Sequence, residues 1–287
     1  MNFNFAKNYR ILIFVSILLT IASIGVVIKN KFNLGIDFSG GIFLEVKQPS
    51  NKSDIEKFVS NYHGEMTNSD VSYIIKIKAQ NVDYNSIISD LTSKIGDKNI
   101  IRTDFIGPKF GSQLVISSIY AILSGVFVIF LYVWLKFNVG FGVVASISLI
   151  HDIIIVLAFV SLIGFEMNLI IISAILAIIG YSVNDTIVIF DRIRSIAKKG
   201  SKYENVINNA MNMVIKRSII TSFVTMITIF PMCFIEDLSI KEFTISVLFG
   251  ITVGTYSSIS FPIIFHKYPF FQYKFKEKIE KKPIDFI

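Results

Sequence analysis

The chain is poor in the residues that staple or charge a soluble protein. Its 287 residues include one cysteine and three histidines, and only 17% are charged. Cys233 has no second cysteine to bridge, so no internal disulfide holds the fold and the redox compartment stays open. Neither an HExxH pair nor a glycine-rich phosphate loop occurs, which argues against zinc proteolysis and against ATP hydrolysis. Soluble domains are charged at about a quarter of their positions, so the deficit points to a membrane.

What is present is apolar length. Crossing a bilayer takes roughly 17–25 residues, and runs of that kind lie at 11–28, 114–135, 139–163, 169–190, 218–235 and 243–265. The longest polar intervals are 29–112 and 191–217. The expected fold is a polytopic α-helical membrane protein with six transmembrane helices and one soluble insert after the first. Residues 1–28 then hold the N-terminus and first span, 29–112 the insert, 113–266 the remaining spans, and 267–287 a basic tail. The first span ends in "GVVIKNKF", without a small-x-small cleavage site, and reads as an uncleaved anchor.

Short loops rich in Lys and Arg mark the cytoplasmic side. Lys7 and Arg10 precede the first span, Lys136 follows the second, and Arg192, Arg194, Lys198, Lys199, Lys202, Lys216 and Arg217 fill the interval after the fourth. The opposite loops carry Glu166, Glu236 and Asp237, with Lys241 the lone basic residue. Both termini are therefore expected in the cytoplasm and the insert outside it. The formal net charge of +7 follows from this bias and gives no reason to invoke nucleic acid, although a basic tail suits anionic membrane lipids.

The insert alternates between strand and helix patterns. "GIFLEV" and "VSYIIKIKA" have period two, "SDIEKFVSNY" and "DYNSIISDLTSKIG" have helical spacing, and "NIIRTDFIG" is a third strand. That order suggests a small α+β domain of ferredoxin-like type, with no His/Cys cluster for a metal. Between spans four and five, Val206, Ala210, Met213 and Val214 share one side and suggest a short helix on the membrane surface.

Ionisable residues inside spans cost about 2.5–3.5 kcal/mol at a helix centre and usually serve transport. Asp185 lies in the fourth run and Asp152 in the third, beside His151. Neighbours in a helix point about 100° apart, so a direct His151–Asp152 pair is not expected. Asp185 has two readings. In the plain one it snorkels to the membrane surface or pairs with Arg192. In the other, Arg217, Thr221, Thr225 and Thr228 form a polar stripe along span five that faces Asp185 and lines a hydrated path. Gly250 and Gly254 have small-xxx-small spacing for close helix packing, and the adjacent Gly40 and Gly41 after Asp37 read as a hinge or an ordinary turn.

Taken together, "LGIDFSGGIFLEV", "IGPKFGSQL", "LIHDIII", "FEMNLIIISAILAIIGYSVNDTIVIFDRIR", "RSIITS" and "LFGITVGTYSSISFPIIF" resemble the SecF-type members of the SecD/SecF family of the bacterial Sec protein-export machinery. This is a branch of the resistance–nodulation–division (RND) transporters. The resemblance implies a subunit of the inner membrane that works with SecD beside the SecYEG translocon and YajC/YidC-type proteins. It implies use of the proton motive force, or sodium in some members, to help unfolded preproteins leave the translocon, with no cofactor and no enzymatic activity. By motif, Asp185 and Arg217 match the family's ion pathway, Asp152 a recurrent intramembrane acid, and Asp37, Gly40 and Gly41 the link from the first span to the periplasmic domain. Gln113 stands where the family often has Glu. The rival readings are a small-molecule RND exporter half, disfavoured by the small insert, and an intramembrane serine protease using Ser182 and His151.

Overall fold

The computed structural model describes residues 4–48, 52–62, 64–68, 72–78, 84–197 and 202–266. The basic tail expected at 267–287, and Lys198 and Lys199 in the loop after span four, lie outside them. Among the described residues six helices are long and apolar enough to cross a membrane: α1 (Tyr9–Asn30), α5 (Pro108–Lys136), α6 (Val139–Ile163), α7 (Leu169–Ile196), α8 (Tyr203–Ile229) and α9 (Leu238–Ser260). Their starts follow local chemistry. The side chains of Asn138 and Asn168 accept hydrogen bonds from the N–H groups of Phe141 and Ile171, and Asp237 does the same for Ser239 and Ile240. Each cap satisfies amides that a helix start leaves unpaired. Gly164, left-handed at φ 82°, ends α6.

Helices α6, α7 and α9 form the interior, each half or more buried, whereas α1 and α5 show 11% of their spanning windows buried and α8 17%. Large side chains such as Phe14, Ile21, Leu123, Phe127 and Phe223 are exposed on the outer helices. In hydrocarbon this costs nothing, because lipid tails replace the core.

The soluble domain is a four-stranded antiparallel sheet, β2 (Gly41–Lys47), β3 (Glu65–Asn68), β4 (Ser72–Lys78) and β5 (Ile100–Ile106), in the order β3-β4-β2-β5. Helices α3 (Lys52–Asn61) and α4 (Tyr84–Ile95) connect it. The two helical stripes are the buried ones: Ile55, Val59, Ile87 and Leu91 pack with Leu44, Val46, Ile75 and Ile77. The expected strand–helix–strand–helix–strand order is present with one strand more. That strand, "EMTN", has no apolar alternation because it lies at the sheet edge and is largely open.

Two further elements join the domain to the membrane base. After α1 the chain makes a two-residue strand β1 (Asn33–Leu34), parallel to β6 (Glu166–Met167) between α6 and α7, then one helical turn α2 (Ile36–Ser39). Past α7, the surface helix and span five are a single helix, α8. The expected break is missing because no Gly or Pro falls between Tyr203 and Ile229. Pro231 ends the helix in a 3-10 turn, Phe230–Phe234.

Candidate functional site

Helices α6, α7 and α9 meet around Asp152, which is 1% exposed. Its Oδ1 lies 3.0 Å from His151 Nδ1, and its Oδ2 accepts hydrogen bonds from Ser182 Oγ at 2.7 Å and Ser257 Oγ at 2.8 Å. The close approach is permitted by small residues. A Cβ on Gly254 would come within 3.1 Å of Ser182 Cβ, and one on Gly250 would collide with the Ile178 side chain. The His151–Asp152 contact corrects the expectation from angular spacing. Cβ directions diverge, with Asp152 turned to Ser182 of α7 and Ser257 of α9 and His151 turned to Phe261, yet the ring reaches the carboxylate.

This cluster contains Ser, His and Asp in an order that does not activate a nucleophile. A triad has the base between serine and acid. Here the acid sits between Ser182 and His151, and no contact joins the hydroxyl to the imidazole. The protease reading loses its geometric basis.

Asp185 lies one turn further along α7 and is 4% exposed, yet its Oδ2 has no hydrogen-bond partner among the described residues. Two groups of α8 act on it, the Ser218 hydroxyl as a hydrogen-bonding neighbour outside ideal geometry and Arg217 through its charge. Ser218 Oγ is itself buried without a partner, and Arg217 is exposed and makes no ion pair with Asp185 within 4.0 Å among the described residues. Arg192, the plain-reading partner, instead points its Nη2 at Met213 Sδ, 2.8 Å away.

The Thr stripe is arranged differently from the expectation. Thr221 Oγ1 donates to Arg217 O at 3.0 Å and to Ser218 O at 2.9 Å, and Thr225 Oγ1 to Thr221 O at 2.9 Å. These hydroxyls serve their own helix. The inward polar line of α8 is Ser218 and Ser222, one turn apart. Ser222 receives the Tyr181 hydroxyl at 2.9 Å and lies 2.7 Å from Thr255 Oγ1. Sequence reading named Ser182 only as a protease nucleophile and missed Ser218, Ser222 and Ser257. For Ser218 and Ser222 the signal was their four-residue recurrence on one helix face.

The Asp37–Gly40–Gly41 motif forms a tight joint. Asp37 Oδ2 accepts the Leu169 N–H at 3.0 Å, holding α2 to the start of α7. Gly40 has φ 74°, and a Cβ there would come within 2.8 Å of Pro108 Cα; one on Gly41 would strike Ile77 O. Among the described residues no group of three His, Cys, Asp or Glu side chains is placed to hold a metal.

Comparison with known proteins bears on this architecture. Residues 87–266 match the family described as protein export membrane protein SecD/SecF, C-terminal. The protein translocase subunit SecF of Helicobacter pylori is 32% identical, over 88% of this chain and 82% of its own length. The chain belongs to the SecD/SecF family. The SecF of Calditerrivibrio nitroreducens is also 32% identical, over 90% of this chain and 91% of its own. The crystal structure of SecDF from Thermus thermophilus superimposes with a TM-score of 0.78 at 29% identity over 92% of this chain. The chain spans 38% of that longer protein. The two SecF relatives are matched over most of their own length, whereas SecDF extends well beyond the matched part.

Proposed function

We propose that the chain is the SecF-type subunit of a Sec translocase. Paired with SecD in the bacterial inner membrane, it converts proton entry at Asp185 into movement that promotes preprotein export. The observation that carries this reading is the buried Oδ2 of Asp185, which has no hydrogen bond of good geometry among the described residues and only the Ser218 hydroxyl and the Arg217 charge acting on its carboxylate. Leaving a buried acceptor unsatisfied costs about 1–3 kcal/mol, more for a charge. A proton removes that cost, and a nearby guanidinium restores the charged form. Asp185 is thus poised between states, with Arg217 on the adjacent helix as the group that responds.

The outer side of α8, where Arg217 is exposed and Thr221 and Thr225 are half-buried, is open in the single chain, and we place SecD against it. Both termini are read as cytoplasmic from the basic loops, which puts the sheet domain outside, near SecYEG, YajC/YidC-type proteins and the emerging preprotein. The order β3-β4-β2-β5, all antiparallel, supports a ferredoxin-like assignment for that domain. The role is mechanical and electrostatic, not enzymatic, and calls for no cofactor beyond the coupling ion.

The test uses the chain with its SecD-type partner in energised vesicles. Asp185→Asn leaves insertion intact and abolishes stimulation of preprotein export by a proton gradient. Equal stimulation of mutant and wild type would sink the reading. Stimulation that survives collapse of the proton gradient but follows a sodium gradient would reassign the ion.

A further inference from the structure

A third buried acid, Glu242, lies near the sheet-domain end of α9 and is 7% exposed. It faces the Glu166 backbone N–H, and the charges acting on it are those of Glu166 in β6 and Lys76 in β4. Lys76 reaches down from the sheet and places Nζ 2.6 Å from Glu166 Oε2, with side chains 20% and 12% exposed. Three elements therefore meet in one charged cluster: a strand of the soluble domain, the α6–α7 loop and a membrane helix.

The charges do not balance. Two carboxylates share one ammonium, leaving one negative charge in a largely desolvated place. The other charged groups of this joint are engaged elsewhere. Asp37 accepts from Leu169 N, Asp237 caps α9, and Arg102 pairs with Asp104 at 2.7 Å. One turn below Glu242, on the same face of α9, Ser246 is fully buried and its Oγ has no partner among the described residues. Lys76 and Glu166 line a cleft of about 340 Å³ between domain and membrane base, and Glu242 lies behind them.

We propose that Glu166 and Glu242 form an outer proton site that the Lys76 ammonium occupies while the soluble domain is docked. The lysine and a proton are alternative ways of neutralising one of the two carboxylates. When the domain lifts and Lys76 leaves, the pair loses one positive charge and takes one proton from outside through the cleft, shared with the Ser246 hydroxyl. When the domain returns, the ammonium displaces that proton. By linkage, proton occupancy and domain docking oppose each other by the same free energy in both directions. This deepens the export reading, on which the words "outside" and "lift" rest, because it ties domain position to proton uptake at a site separate from Asp185.

The experiment measures the domain position directly. Spin labels go at Ser86 on α4 and at the exposed Leu162 at the end of α6, on a Cys233→Ser background, in the full chain reconstituted with its SecD-type partner. The short, docked distance is expected to lose population to a longer one as outside pH falls. Lys76→Met shows the long distance at every pH, Glu242→Gln loses the pH response, and exchanging the charges with Lys76→Glu and Glu166→Lys together restores docking. A docked distance in Lys76→Met, or a Glu242→Gln titration that matches wild type, overturns the proposal. Asp185→Asn serves as the separating control. The distance response persists in it even where export stimulation is lost, so failure of the Asp185 mechanism and failure of the outer site give different records.

Discussion

Asp152 and Asp185 are both carboxylates buried among membrane helices, and they are satisfied to opposite degrees. Asp152 has an imidazole nitrogen and two serine hydroxyls around it, whereas Asp185 keeps an oxygen with no partner. The packing differs in the same sense. Around Asp152, α7 and α9 meet through glycines with no room for a Cβ. Around Asp185, α7 faces an α8 whose neighbouring Arg217 is turned to the exterior. A satisfied acid in a tight interface fixes helices together. An unsatisfied one beside a looser interface is where a proton changes the energy most.

The largest effect that would break this contrast is on stability at Asp152. Asp152→Ala strands two hydroxyls and an imidazole in a dry interface and is expected to cost about 3 kcal/mol or more. Asp185→Asn removes a charge that had no complete shell and should stay within about 1 kcal/mol of wild type. Denaturant unfolding of the purified protein in detergent measures both. If the two variants lose equal stability, the acids do not differ in the way their hydrogen bonds indicate.

The next effect separates the two faces of α7. Gly250→Ala pushes a methyl into Ile178 and is expected to cost about 1–3 kcal/mol by overpacking, partly returned by Ile178→Ala in the same chain. Gly180→Ala, on the exposed face with nothing within 4 Å of its Cβ position, should be neutral or stabilise by up to about 1 kcal/mol through helix propensity. A thermal midpoint that falls for Gly180→Ala and holds for Gly250→Ala would show that α7 packs the other way round.

The contrast also shows which parts of the molecule could be read from sequence. Apolar length set the six spans, and period two and helical stripes set the sheet domain, because those signals are sums over many residues. Asp152 and Asp185 were legible as acids inside apolar runs. The satisfaction of Asp152 was not, because it depends on Ser182 and Ser257, and a serine in an apolar helix has no pattern that separates a ligand from a spacer. Glu242 was missed for another reason. It lies near a span end, where a charge is ordinary, and its burial comes from tertiary packing that sequence does not display. Long α8 was misread because amphipathicity was given more weight than the lack of a helix breaker.

The smallest effect sharpens the comparison at α8. If Thr221 and Thr225 lined the ion path, replacing their hydroxyls would interrupt it. In the structure both hydroxyls bond carbonyls of their own helix, an interaction worth little because the carbonyl keeps its backbone partner. Valine preserves the branched shape, so Thr221→Val and Thr225→Val together should change stability by less than about 1 kcal/mol. They should also leave gradient-driven export near wild type. Ser222→Ala, by contrast, removes the partner of Tyr181 and Thr255 at the inner face of α8 and should reduce the response more than both valines combined. Should the double valine variant abolish export stimulation while Ser222→Ala retains it, the path runs along the outer stripe, and the inward line of Ser218 and Ser222 is packing.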